Sequence, residues 1–251
     1  MSTPRPGPTL MDAGYAAAHA EGDLRHWWFL GRRAVILAEM ARWLPPASRR
    51  LVEIGCGSGG FLPDLARFGR VTGIEADPFL RAAATARGLD VVAGALPDAL
   101  PAAARGLDAV CLFDVLEHVE EDGRALAAVR DRLAPGGLLF ATVPAYSWMW
   151  SRHDELLGHR RRYTAARLRA DLGRAGFVVE RLTYFNTVLA LPIMAVRVVG
   201  RLVRRGSHDL GSLPGPLNRM LAACFAFERH LLARAALPFG ISVLAVARRP
   251  S

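Results

Sequence analysis

Val52-Glu53-Ile54-Gly55-Cys56-Gly57-Ser58-Gly59-Gly60 is the segment of this 251-residue chain best suited to hold a ligand. An apolar run breaks into closely spaced glycines and then opens a helical pattern. Glycines let the backbone turn sharply and let a ligand approach without Cβ atoms in the way. Twenty residues past Gly55 the next apolar run ends in Glu75. A carboxylate there can accept hydrogen bonds from both hydroxyls of a ribose.

The spacing Gly55-x-Gly57-x-x-Gly60 alone also fits the dinucleotide turn of NAD-dependent oxidoreductases. Glu53 separates the two readings. A dinucleotide would rest its pyrophosphate on this turn, where the carboxylate repels it. S-adenosylmethionine carries no phosphate and brings a sulfonium and an ammonium, so an acid beside the turn is tolerated or useful. The alternative is that Glu53 only orders nearby backbone amides.

Leu112-Phe113-Asp114-Val115-Leu116-Glu117-His118 ends another apolar run, on the rim where open α/β sheets bind ligands. Histidine as a residue type titrates near neutrality, and His118 is the candidate base for an acceptor hydroxyl. Otherwise it packs or starts a helix beside Glu117. A second polar cluster holds Tyr146, His153, Asp154, His159, Arg160 and Tyr163. Such density on a loop points to substrate contact, against the alternative of a solvated charged loop. Trp27, Trp28 and Phe29 form a candidate lid with Arg32 or Arg33 reaching an anion, or a face that packs on the sheet. No residues show metal-ligand spacing, and Cys56, Cys111 and Cys224 read as free thiols of a reducing compartment.

The elements that position these residues alternate between strand and helix. Strands are expected at Leu51–Ile54, Val71–Ile74, Val91–Ala93, Asp108–Phe113, Leu138–Val143, Phe177–Thr183 and Ser242–Ala247. Helices are expected over 11–44, Phe61–Phe68, Pro78–Arg87, Gly123–Leu133 and Ala165–Ala175, with a loop from Tyr146 to Tyr163. This alternation implies a parallel sheet covered on both faces.

Glu53-x-Gly55-x-Gly57-x-Gly59, Gly73-Ile74-Glu75-x-Asp77, Asp114-Val115-Leu116-Glu117-His118 and Leu133-x-Pro135-Gly136-Gly137 follow in one order over about residues 50–145. In this the chain resembles the class I S-adenosylmethionine-dependent methyltransferases. The resemblance implies a Rossmann-like, doubly wound α/β sheet of about seven strands with the last antiparallel. It places Glu53, Gly55, Gly57 and Gly59, with Cys56 in the same turn, around the methionine part of the cofactor. Glu75 would take the ribose, Ala76 and Asp77 the adenosine, and Phe113 and Asp114 the methionine end. Many relatives carry an acid after the third strand, but here that position is Ala95, so adenine recognition falls to the backbone of Ala95 and Leu96. Ser151-x-His153-Asp154 and Gly158-His159-x-Arg161-x-Tyr163 also resemble an arrangement in one methyltransferase subgroup. The expected acceptor is a small, lipid-linked or amphipathic molecule; a non-catalytic scaffold that binds the cofactor is the rival reading.

Charge divides the chain. Residues 1–145 hold 15 Arg against 17 acids, a net −2, and residues 146–251 hold 17 Arg against 6 acids, a net +11. The second part should seek something anionic. Three units are expected: an N-terminal tail and helical lid (1–45), the cofactor domain (46–183 and 241–251), and a helical insertion (184–240). In the insertion, Val188–Val196 is too short to span a bilayer, which takes about 20 residues. Arg197, Arg201, Arg204 and Arg205 fall on one helical face, as in a basic helix lying on an anionic membrane. A second stripe runs through Leu217, Met220, Leu221, Cys224, Phe225, Leu231 and Leu232, with Glu228 inside it needing an Arg or a ligand. The insertion reads as a cap, a membrane dock, or both. The chain is expected to be cytoplasmic, with no nucleic-acid partner.

Overall fold

A computed structural model describes residues 22, 24–45, 49–195 and 213–251. The strands are β1 (Arg50–Ile54), β2 (Arg70–Glu75), β3 (Val91–Ala93), β4 (Leu107–Phe113), β5 (Leu133–Pro144), β6 (Val178–Phe185) and β7 (Ser242–Arg248). They form one sheet in the order β3-β2-β1-β4-β5-β7-β6. The first five are parallel, and β7 runs antiparallel between β5 and β6. The helices are α1 (Trp27–Trp43), α2 (Leu62–Leu65), α3 (Pro78–Ala86), α4 (Asp122–Arg132), α5 (Arg152–Leu156), α6 (Ala165–Arg174) and α7 (Gly215–Leu232).

The central strands are apolar throughout because both of their faces are covered. β4 is buried at every position but Asp108, and β7 at every position but Arg248. Side chains alternate between the two faces. Val52, Val110, Leu139 and Val243 meet Leu126 of α4 and Leu168 of α6. Leu51, Cys111, Phe140 and Leu244 meet Ile36 and Met40 of α1 and Phe225 of α7. α1 and α7 cross closely at Gly31, where an added Cβ would lie 2.5 Å from Phe225 Cβ. Glu39 of α1 also pairs with Arg181 of β6 at 2.9 Å.

Several elements differ from expectation. Of the stretch expected to be helical over 11–44, Gly22 is helical and the continuous helix α1 begins at Trp27. Leu24 and Arg25 form a turn, and the His26 ring accepts from the Trp28 amide at the helix start. Its part before residue 22 lies outside the described residues. The loop expected over Tyr146–Tyr163 contains a 3-10 turn at Ser147–Met149 and α5. α5 begins in a reciprocal cap, with the Ser151 amide donating to Asp154 Oδ2 at 2.8 Å. β6 continues to Phe185, two residues past the expected strand end.

The insertion opens with a helical turn over 190–195 and ends with α7. Arg197, Arg201, Arg204 and Arg205 lie outside the described residues. The partner expected for Glu228 to be an Arg is instead backbone: its carboxylate accepts from the Val188 amide at 2.7 Å, before the 190–195 turn. Burial raises its pKa, and backbone hydrogen bonds oppose that. The apolar stripe of α7 is split. Phe225 and Leu232 are buried, whereas Leu217 and Met220 are exposed. Among the described residues, no helix is long and apolar enough to cross a membrane.

Candidate active site

The carboxyl ends of β1, β2, β4 and β5 open into one cavity of about 860 Å³. Ligands bind at this edge of open α/β sheets. Its floor is the turn after β1. Gly55 and Gly57 both have positive φ, at 72° and 58°. At Gly55 a Cβ would come within 2.7 Å of Val115, whereas at Gly57 it would meet nothing within 4 Å. Only glycine suits the first position for two reasons, and the second leaves a cradle open for a ligand.

Glu75 fastens this turn. Its Oε2 accepts from the Gly57 amide at 2.7 Å and its Oε1 from the Asp77 amide at 2.8 Å. Burial raises its pKa, and these hydrogen bonds pull the other way. Each oxygen keeps a lone pair for a sugar hydroxyl. Asp77 caps α3 by accepting from the Phe79 and Leu80 amides. Glu53 is buried and reaches the cavity wall. Its charge adds to burial in pushing the Cys111 thiol well up.

The cavity is bordered by Glu53, Gly55, Cys56, Gly57, Glu75, Ala76, Asp77, Ala95, Leu96, Phe113 and Asp114, and so brings together the expected cofactor positions except one. Gly59 lies off the wall. It has φ 75°, and a Cβ there would sit 2.5 Å from Leu89 Cδ1. Its Cβ position instead faces Leu89, Leu62 and Ala84.

The acceptor end is built differently from expectation. Trp28, Arg32, His118, His153 and His159 border the cavity. Arg32, expected to reach an anionic substrate, pairs with Asp114 at 2.6 Å and lies over the Trp28 ring at 5.0 Å. Its charge is already matched from within the chain. Tyr163, expected as a substrate contact, is instead core: it is 1% exposed and its hydroxyl donates to Asp122 at 2.9 Å. Burial and that neighbouring carboxylate push its pKa up. Tyr146 is also off the wall, stacked between Trp148 and Tyr184 at 5.7 and 5.3 Å.

One group was given no role in the sequence reading. Glu117 is fully buried at the wall, and burial, then the charge of Asp114, raises its pKa well above the ordinary value. Its place in Asp114-x-x-Glu117-His118 was the available signal. The roof draws on both segments expected to cover the site: Leu189, Ile193, Leu213 and Leu221 of the insertion line the cavity with His26 and Trp27.

His159 is held in place by charge. Its Nδ1 lies 2.8 Å from Asp154 Oδ1, and Arg162 donates to both Asp154 oxygens at 2.8 and 3.0 Å. Burial opposes ionisation of Asp154, but His159 and Arg162 hold its pKa far below the carboxylate range. The His118 and His159 rings meet edge to face, 4.8 Å between centroids.

A Rossmann-like sheet with an antiparallel last strand, a glycine turn and a buried acid on the neighbouring strand define the class I S-adenosylmethionine-dependent methyltransferases. Residues 24–182 match the model of a family described as a methyltransferase domain, and the chain belongs to that family. It is 32% identical over 162 residues to a Mycolicibacterium smegmatis protein named "probable S-adenosylmethionine-dependent methyltransferase", covering 62% of this chain and 61% of that one. It is 34% identical over 107 residues to the ubiquinone biosynthesis O-methyltransferase of Xanthomonas axonopodis, covering 40% and 45%. The chain thus spans less than two thirds of these curated relatives. In fold it is similar to a chain of the Haloferax volcanii complex between the Trm112 methyltransferase activator and a methyltransferase, with TM-score 0.63 and 19% identity over 95% of this chain and 97% of that one. The cofactor of the family is S-adenosylmethionine. The open cradle at Gly57 and the buried Glu75 fit its nucleoside.

Proposed function

We propose that this chain transfers a methyl group from S-adenosylmethionine to an oxygen of a hydroxylated, amphipathic small molecule. The observation that carries the proposal is continuity: one cavity runs from Glu75 to His118 and on under the aliphatic roof. The cofactor supplies an electrophilic methyl group on a sulfonium. The chain's residues supply position and a place for the acceptor proton. Glu75 accepts from the sugar hydroxyls, and the turn at Gly55–Gly57 lets the methionine part lie against backbone. Glu53 and Asp114 add negative charge near the cationic end. The Glu117–His118–His159 corner then faces the acceptor oxygen and takes part in removing its proton.

The aliphatic roof favours an acceptor with an apolar part. Among the described residues, six of the eleven exposed large apolar side chains belong to the insertion that supplies it: Val188, Leu191, Leu217, Met220, Phe227 and Phe239. With the net +11 of the second part of the chain, this supports docking on an anionic lipid surface that presents the acceptor. The O-methyltransferase among the relatives supports oxygen as the target atom. The test is to incubate the protein with methyl-labelled cofactor and separate aqueous and lipid extracts. Label in a hydroxylated lipid-soluble product supports the proposal. Label only in water-soluble amines, or none in any fraction, overturns it.

A further inference from the structure

Glu117, His118 and His159 each offer one ligand atom, and the three atoms lie within 4.8 Å of one another at the acceptor end of the cavity. We propose that they form a site for a divalent transition-metal cation that holds and activates the acceptor oxygen.

Glu117 is the first argument. The residue is fully buried, and neither carboxylate oxygen has a hydrogen-bond partner from another residue among the described ones. A buried carboxyl group left so is costly, and a cation compensates it directly.

His159 is the second argument. A ligating histidine characteristically passes its other ring nitrogen to a carboxylate, which fixes the tautomer and orients the ring. Asp154 does this to Nδ1 at 2.8 Å. Asp154 is in turn gripped by Arg162, which also donates to the Ala145 carbonyl at 3.0 Å. The proton on Nδ1 leaves the Nε2 lone pair for a metal. This outer layer is complete for His159.

The spacing fits with small movement. Three donors about 2.1 Å from a tetrahedral first-row dication stand about 3.4 Å apart, so each draws in by under about 1 Å. Two imidazoles and one carboxylate leave open positions for oxygen ligands, and suit manganese, iron, cobalt or zinc better than calcium. This role in catalysis rests on the methyl-transfer proposal; the binding itself does not. A hydroxyl bound there loses its proton to water. Its oxygen then bonds the methyl carbon as the carbon–sulfur bond breaks, and that electron pair leaves sulfur as a neutral thioether. His118 accordingly serves as a ligand rather than as a free base.

The test is a cobalt(II) titration of chelator-treated full-length protein, read by visible d–d absorption. One Co²⁺ per chain is expected, with the bands abolished in His159→Ala and in Glu117→Gln. Asp154→Asn should weaken binding about 10–100-fold. S-adenosylhomocysteine binding, followed separately, reports that each variant is folded. No d–d bands in the wild-type protein, or undiminished bands in folded His159→Ala and Glu117→Gln variants, overturns the site. Cobalt binding without methyl transfer would keep the site and remove the methyl-transfer role. Product formation with no cobalt binding would do the reverse.

Discussion

The Gly57 amide donates to Glu75 Oε2 across 2.7 Å, which ties the turn after β1 to the end of β2. One carboxylate therefore shapes the floor of the cavity, and its remaining lone pairs are the proposed anchor for the sugar. Glu75→Gln should weaken S-adenosylhomocysteine binding about 10–100-fold, the loss of charged hydrogen bonds worth about 1.5–3 kcal/mol. Titration calorimetry checks this. Unchanged affinity would remove Glu75 as the sugar anchor.

The same group sets a pH dependence. Burial raises the Glu75 pKa above its ordinary value of about 4.3 in the ligand-free protein. The ionised form accepts the sugar hydroxyls, so binding releases protons. Affinity should fall as pH drops through that raised pKa, and level off above it. For the free protein the sign is opposite: this group's stability contribution is full below its unfolded pKa and is lost as pH rises through the folded one. The thermal shift given by S-adenosylhomocysteine should therefore grow with pH across the acid range. A shift independent of pH there contradicts this.

Gly57 and Gly59 should respond differently to alanine. Both have positive φ, which costs an L-residue about 1–2 kcal/mol. At Gly57 nothing else resists the new methyl group, so Gly57→Ala should fold and lose cofactor affinity. At Gly59 the methyl group strikes Leu89, so Gly59→Ala should lose more melting temperature than Gly57→Ala does. Equal losses in both variants would show that the cradle is not open.

Arg32 and Asp114 join the lid helix to the rim at 2.6 Å. Arg32→Met should lower stability by about 1.5–3 kcal/mol, because Asp114 loses its charged partner. In a double-mutant cycle with Asp114→Asn, the two losses should be far from additive. Additive losses would mean that the pair contributes nothing as a pair.

The exposed apolar side chains of the insertion predict sedimentation with anionic vesicles, weakened by salt. Neutral vesicles should bind less. Failure to sediment at low salt removes the membrane from the proposal.

The floor of the site was legible in the sequence because its requirements are local. Gly55 and Gly57 need a backbone that only glycine adopts easily, and Glu75 stands at a strand end that periodicity marks. The seven-strand sheet was legible for the same reason, through its continuous apolar runs. The acceptor end was legible only in part: Trp28, Arg32, His118, His153 and His159 do reach the wall, but their pairings join residues far apart in the chain. Nothing near Arg32 announces Asp114 as its partner, and nothing near Tyr163 announces Asp122. Density of polar residues on a supposed loop suggested substrate contacts at Tyr146 and Tyr163. Half of that density instead builds α5, its cap and the Asp154–Arg162 pair.

Trp27 donates its amide to the Asn218 side chain at 2.8 Å, across 191 positions of chain. The roof of the cavity is thus drawn from segments on both sides of the sequence that builds its floor.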